Sequence, residues 1–154
     1  MYIQESSVTA TTQARCELCH QDGGTVLYRT DAWRVVRVDD PHYPGFCRVI
    51  LNRHEREMTA LSAAEQIELM AAVFTVESVV RRIFQPDKIN LASFGNMAPH
   101  VHWHIIPRWQ DDRHFPEPIW GAVHREGAPQ QRIIVSDDQL ATAIATAFRP
   151  AVKE

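Results

Sequence analysis

The 154-residue chain lacks an excess of positive charge, a long apolar run and an even set of cysteines, and each lack closes off a class of function. Sixteen Lys and Arg stand against 19 Asp and Glu, a net charge of −3, so no global positive field exists to hold a nucleic-acid polymer through many phosphate contacts. A small phosphorylated ligand stays open. The most apolar region, residues 69–84, carries Glu77, Arg81 and Arg82, which is too short and too charged for the roughly 20 apolar residues of a membrane span. Three cysteines cannot all pair, and Met1-Tyr2-Ile3-Gln4-Glu5-Ser6-Ser7 has neither the basic end nor the apolar stretch of a secretion signal. The expectation is a soluble protein of the reducing cytoplasm, with no membrane partner. At 45% hydrophobic and 23% charged residues the composition is globular. With no internal repeat, one domain over 1–154 is expected.

Residues 1–14, rich in Ser, Thr and Gln, read as a loose arm. Gly23-Gly24 turns the chain into 25–30 and 32–38, rich in Val, Tyr and Trp and expected to pair as strands. Residues 39–45 hold two prolines and a glycine, a loop at one end of the sheet, before a third strand over 46–51. Ser62-Ala63-Ala64-Glu65 is a capping box opening a long helix whose Leu69, Val73, Val76, Val80 and Ile83 share one face; Glu77 and Arg81 pair outside and Pro86 stops it. Two further strands, 88–94 and 101–106, flank Gly95-Asn96-Met97-Ala98-Pro99, with Pro107 expected to end the second. Residues 108–131 form a long aperiodic loop of the kind kept for binding or an interface. A second capping box, Ser136-Asp137-Asp138-Gln139, starts a short C-terminal helix bearing Leu140, Ile144 and Phe148.

Three of eight histidines lie in His100-Val101-His102-Trp103-His104. On a strand their period of two aligns three imidazoles on one face and packs Val101, Trp103 and Ile105 on the other. Aligned imidazoles serve either a metal site or nucleophilic chemistry on phosphorus, and both need a neutral ring nitrogen. The flanks, Asn90 and a Gly-Asn turn rather than carboxylates, favour phosphoryl chemistry. The central imidazole is then expected to face an open, phosphate-sized cavity.

His-Val-His-Trp-His-Ile-Ile-Pro resembles the signature of the histidine triad (HIT) family, and the resemblance runs from Cys16 to Arg108. Asn90-Leu91-Ala92-Ser93-Phe94-Gly95-Asn96 before Pro99-His100 is similar to the bacterial diadenosine tetraphosphate hydrolase-like branch. The resemblance implies an α+β HIT-like fold, a five-stranded antiparallel sheet with one long helix and a short C-terminal helix, and a homodimer. It implies cleavage of a nucleoside phosphate anhydride, such as a dinucleoside polyphosphate, at the α-phosphorus through a nucleotidyl-histidine intermediate that releases a nucleoside monophosphate. His102 would be the nucleophile, and His104 would bind phosphate oxygens and stabilise the transition state. Asn90 and Asn96 would be further phosphate ligands, with Met97 standing where many relatives carry a hydroxyl. Asp39 or Asp40 would bind the ribose or simply close a turn. Rival functions are a nucleoside phosphoramidase, a hydrolase with zinc on the three triad histidines, and a non-enzymatic nucleotide-binding adaptor.

Cys16-Glu17-Leu18-Cys19 is a C-x₂-C pair, which in a reducing compartment points to metal or redox chemistry. Some HIT proteins and the related galactose-1-phosphate uridylyltransferases bind zinc with such a pair, a histidine closing an early strand and the first triad histidine. Arg48-Val49-Ile50-Leu51-Asn52-Arg53-His54 resembles the transferase segment. The resemblance thus implies a structural zinc on Cys16, Cys19, His54 and His100, with no cofactor needed for catalysis. Unliganded thiols are the alternative. Cys47 reads as a buried thiol, and His20, His42, His114 and His124 as solvated. Trp120 either caps a purine ring or packs in its Pro-rich loop.

Overall fold

The computed structural model describes residues 13–126 and 131–150; most of the expected arm (1–12) and part of the long loop (127–130) lie outside the described residues. Helix α1 (Glu17–His20) precedes strands β1 (Thr25–Arg29), β2 (Trp33–Arg37) and β3 (Cys47–Leu51). Helix α2 (Ala63–Phe84), strands β4 (Lys88–Ala92) and β5 (His102–Arg108), and helix α3 (Asp137–Ala147) follow. The strands form one antiparallel sheet in the order β1-β2-β3-β5-β4.

Both helices start where the sequence places their caps. Ser62 and Glu65, and again Ser136 and Gln139, exchange the reciprocal bonds of a capping box. Leu69, Val73, Val76 and Val80 are buried against Val35, Val49 and Ile105 of the sheet, with Leu140 and Ile144 of α3 in the same core. At the end of α2, Gln85 adopts the left-handed conformation. Gly45 (φ +88) lies so close to Phe84 that a Cβ there would sit 2.5 Å from its ring, which pins the β2–β3 loop to the helix terminus.

Alternation of side chains along β3 sorts the two faces of the sheet. Cys47, Val49 and Leu51 join the helix-facing core. Ile50 packs on the other face, under Cys16, Leu18 and Val36. Register pairs Arg48 with His104 and Ile50 with His102, so both histidines stand on the face that α2 leaves open.

The structure departs from the sequence expectations at four places. α1 and the helical turn just before it have no cap or periodicity in the sequence to announce them; the Gln13 carbonyl accepts from the Cys16 N–H (3.2 Å). β4 stops at Ala92, and Ser93 turns its hydroxyl to the His102 carbonyl (2.8 Å). β5 begins only at His102, with His100 just before it. Pro107 does not end β5: the strand continues to Arg108, pairing Pro107 with Ile89. Pairing with β3 has already ended at Cys47–Ile105, so a residue without an N–H breaks no ladder on that side.

Candidate active site and metal centre

The N-terminal knuckle folds onto the open face of the sheet and brings the two cysteines to the two histidines proposed with them. Donor atoms of Cys16, Cys19, His54 and His100 all lie within 4.8 Å of one another. Cys16 Sγ is 3.4 Å and Cys19 Sγ 3.6 Å from His100 Nδ1, and Cys19 Sγ is 3.3 Å from His54 Nδ1. A tetrahedral centre with metal–sulfur bonds of about 2.3 Å and metal–nitrogen bonds of about 2.0 Å has sulfur–nitrogen edges of roughly 3.5 Å, so the spacing fits a metal ion. His100 Nε2–H donates to the Leu51 carbonyl (2.6 Å), leaving Nδ1 bare and aimed at the sulfurs. His54 Nε2 is buried without a partner among the described residues. Burial and the neighbouring Cys16 push the Cys19 thiol up to about 11, against a smaller pull from Arg34, so a metal binding there must displace its proton.

Arg34 holds the knuckle in place. Only 4% exposed, it donates from Nη2 to the carbonyls of Leu18 (2.8 Å) and Gln21 (3.1 Å), from Nε to that of Asp22 (2.9 Å), and from Nη1 to Asn52 Oδ1 (3.1 Å). Asn52 in turn donates to the Thr30 and Asp31 carbonyls.

The triad divides its labour. His100 joins the cysteines, while His102 and His104 meet edge to face, ring centres 4.9 Å apart. His102 Nδ1–H donates to the His100 carbonyl (2.6 Å). This bond puts the proton on Nδ1 and the lone pair on Nε2, for which no partner exists among the described residues. Burial lowers the basicity of His102, opposed by its bond to His100 and aided by Arg48. Burial, His102 and Arg48 together bring His104 down to about 3. Both rings are therefore neutral at pH 7. His104 Nδ1 is buried with no hydrogen-bond partner among the described residues.

His102 is buried among the described residues rather than facing the open cavity expected of it. His102 and His104 are 7% and 5% exposed, and three aromatic rings close around His104: Trp120 at 5.1 Å, Phe46 at 5.7 Å and Phe94 at 6.1 Å between centres. Trp120 and Phe94 themselves are more than half exposed and touch edge to face at 4.9 Å. A cavity of about 520 Å³ lies alongside, lined by Arg56, Glu57, Ser93, Phe94, Gly95, Asn96 and Pro99.

Asn96 is exposed on the wall of that cavity. Asn90 accepts at Oδ1 from Arg108 Nη1 (2.7 Å), which turns its amide NH₂ away from Arg108. Asp39 is exposed, whereas Asp40 caps its own turn by accepting from the His42 N–H (2.9 Å). Cys47 is fully buried and burial pushes its thiol up to about 12. His20, His42 and His124 are exposed, but His114 is not a solvated residue: its Nδ1 lies 2.5 Å from the Tyr43 hydroxyl, against which the ring stacks. Tyr43 also donates to Asp112, the buried partner of Arg108. This network anchors the start of the long loop.

No motif of the sequence assigns a role to Arg34 or Arg48, yet both stand beside the site. Their signal is a cation flanked by apolar residues within a strand, Trp33-Arg34-Val35-Val36 and Cys47-Arg48-Val49-Ile50, where a charge persists only with a built environment. Among the described residues the three triad histidines do not converge on one point; the cluster able to hold a metal is the Cys₂His₂ set.

A family model described as HIT domain matches residues 20–111. An AP-4-A phosphorylase of Mycobacterium tuberculosis is 31% identical over 88 residues, 53% of this chain and 45% of that protein. A bis(5'-nucleosyl)-tetraphosphatase [asymmetrical] of Schizosaccharomyces pombe is 32% identical over 95 residues, 58% of this chain and 52% of that protein. The chain spans about half the length of these curated relatives. A histidine triad protein from Bradyrhizobium japonicum shares the fold, with a TM-score of 0.65, 21% identity and coverage of 96% and 98% of the two chains.

Proposed function

The chain belongs to the HIT domain family, and from that premise we propose that it is a nucleotide hydrolase acting on a nucleoside phosphate anhydride of the dinucleoside polyphosphate kind. The observation that carries the proposal is the bond from His102 Nδ1–H to the His100 carbonyl. It fixes the tautomer whose Nε2 lone pair is free to attack phosphorus, and burial keeps the ring neutral.

In the first step the His102 Nε2–P bond forms and the bond from the α-phosphorus to the bridging oxygen breaks, the leaving phosphate taking the electron pair. Water then attacks the nucleotidyl-histidine, releasing a nucleoside monophosphate and restoring the imidazole. His104, with an unsatisfied ring nitrogen, hydrogen-bonds a phosphate oxygen, and Asn90 and Asn96 add amide donors. Asp39 binds the ribose hydroxyls. Trp120, lying on His104 from an exposed loop, must move aside to admit the substrate, and can then stack on its base.

Cys16, Cys19, His54 and His100 hold a zinc ion, which ties the knuckle to the strand bearing the triad. Four protein ligands make this centre structural. The active unit is a homodimer.

Incubation with diadenosine tetraphosphate tests the assignment. Wild-type protein should release AMP with no added metal, and His102→Ala should still bind AMP while turnover falls by orders of magnitude. Turnover retained in His102→Ala would refute the nucleophile. Cleavage of adenosine 5'-phosphoramidate in preference to the tetraphosphate would assign the chain to the phosphoramidases.

A further inference from the structure

Arg34 and Arg108 are buried in the sheet and Arg48 is half-buried beside them, and their surroundings differ in kind. Arg34 makes four hydrogen bonds to the knuckle and Asn52. Arg108 is paired with Asp112 through two nitrogens and also reaches Asn90 and the Glu117 carbonyl. Arg48 has neither arrangement. Among the described residues its one hydrogen bond runs from Nη1 to the Gly23 carbonyl (3.1 Å), and its Nε is buried with no partner. No carboxylate of the described residues lies in ion-pair contact with it, and Glu17 attracts it only from a distance. Its guanidinium carbon stands 5.8 Å from the centre of the Phe46 ring, the same ring that packs on His104.

The position of Arg48 is set by the sheet. It lies opposite His104 across the β3–β5 pairing, on the face that carries both histidines, and the residue opposite His102 is Ile50. The cation therefore flanks the nucleophile rather than facing it. Gly23, whose carbonyl receives Arg48, has φ +82, and a Cβ there would meet Ile50 and Leu18 at 2.8 and 2.9 Å. The backbone can approach the sheet this closely only because the residue is glycine. Burying part of a guanidinium with no carboxylate in contact is unfavourable unless an anion completes it. A planar guanidinium with unused N–H groups is suited to phosphate oxygens.

We propose that Arg48 receives a phosphate group next to the one transferred to His102, so that the substrate is a chain of at least two phosphates rather than a single-phosphate ester or amidate. This deepens the nucleotide-hydrolase assignment and rests on it. A structural role alone does not explain why the strand carries a forked cation that uses one hydrogen bond, when an apolar residue would pack beside Phe46 and Ile50.

The test uses Arg48→Met and Arg48→Lys in the full chain, with thermal unfolding to establish that each folds. Calorimetric titration with inorganic tripolyphosphate reads the anion site without requiring turnover. Arg48→Met should weaken that binding at least about tenfold, the scale of a lost charge-assisted hydrogen bond, and Arg48→Lys should weaken it less. In turnover, Arg48→Met should lower the ratio of kcat/KM for diadenosine tetraphosphate to that for adenosine 5'-phosphoramidate at least about tenfold. Equal tripolyphosphate binding in wild type and Arg48→Met, no binding by wild type, or an unchanged ratio would overturn the proposal. Should Arg48→Met fail to fold, the Arg48→Lys comparison decides alone: undiminished tripolyphosphate binding and an unchanged ratio overturn it. If the wild type cleaves neither nucleotide, the hydrolase assignment fails, and the tripolyphosphate titration still decides whether Arg48 is an anion site.

Discussion

Replacing Arg34 by Met tests whether the knuckle is held by the sheet or only rests on it. Met keeps much of the aliphatic stem and removes four donor contacts, three of them to backbone carbonyls. Charge-assisted hydrogen bonds contribute about 1.5–3 kcal/mol each. Desolvating the guanidinium, which burial shows by lowering its basicity, offsets several kcal/mol of that sum. The net loss expected is about 3 kcal/mol, which for a domain of this size is a fall in Tm of roughly 6–12 °C. Arg53→Met is the control. Arg53 pairs with Glu65 where both side chains are well exposed, 46% and 39%, so that loss should stay below about 1 kcal/mol. Denaturant unfolding of both variants, with metal content measured on the same samples, should show Arg34→Met losing stability and bound zinc together. A loss under about 1 kcal/mol with full zinc retention would refute the clamp.

Ser62→Ala removes the capping-box acceptor of α2 and should cost about 1 kcal/mol in denaturant unfolding. Gly45→Ala must place a Cβ 2.5 Å from the Phe84 ring at positive φ; it should lose more than about 2 kcal/mol, in the range of overpacking with added backbone strain. A third expectation concerns acid. His104 titrates near 3 in the fold against an ordinary 6.5, so between these values the unfolded chain binds the extra proton. The stability it confers is full above pH 6.5 and lost progressively as pH falls toward 3. His104→Gln should flatten the stability profile across that window, measured by unfolding at stepped pH; an unaltered slope would contradict the burial.

The sheet and both capped helices were legible because their signals are local. Alternating Val, Tyr and Trp, two Ser-x-x-Glu/Gln boxes and the 4-3 spacing of Leu69 to Val80 all act through neighbours in sequence. Pro107 misled because whether a proline ends a strand depends on which neighbour remains beside it, a tertiary fact. The Cys16, Cys19, His54 and His100 set was accessible only through family resemblance, since nothing local to Cys16 points to a histidine 84 residues away. The closing of aromatic rings around His104 could not be read at all: Phe46, Phe94 and Trp120 arrive from three separate loops or strand ends, and no periodicity links them. Arg34 and Arg48 carry a local signal, a charge flanked by apolar residues within a strand, but only the structure separates the satisfied cation from the one with unused donors.

Mass spectrometry of the protein quenched during turnover of diadenosine tetraphosphate tests the central claim most directly. Adenylate should be found covalently attached to the peptide containing His102, through the ring nitrogen not bonded to the His100 carbonyl, and should be absent from His102→Ala. Steady release of AMP with no adduct on His102, or with adenylate on another residue, would contradict the account.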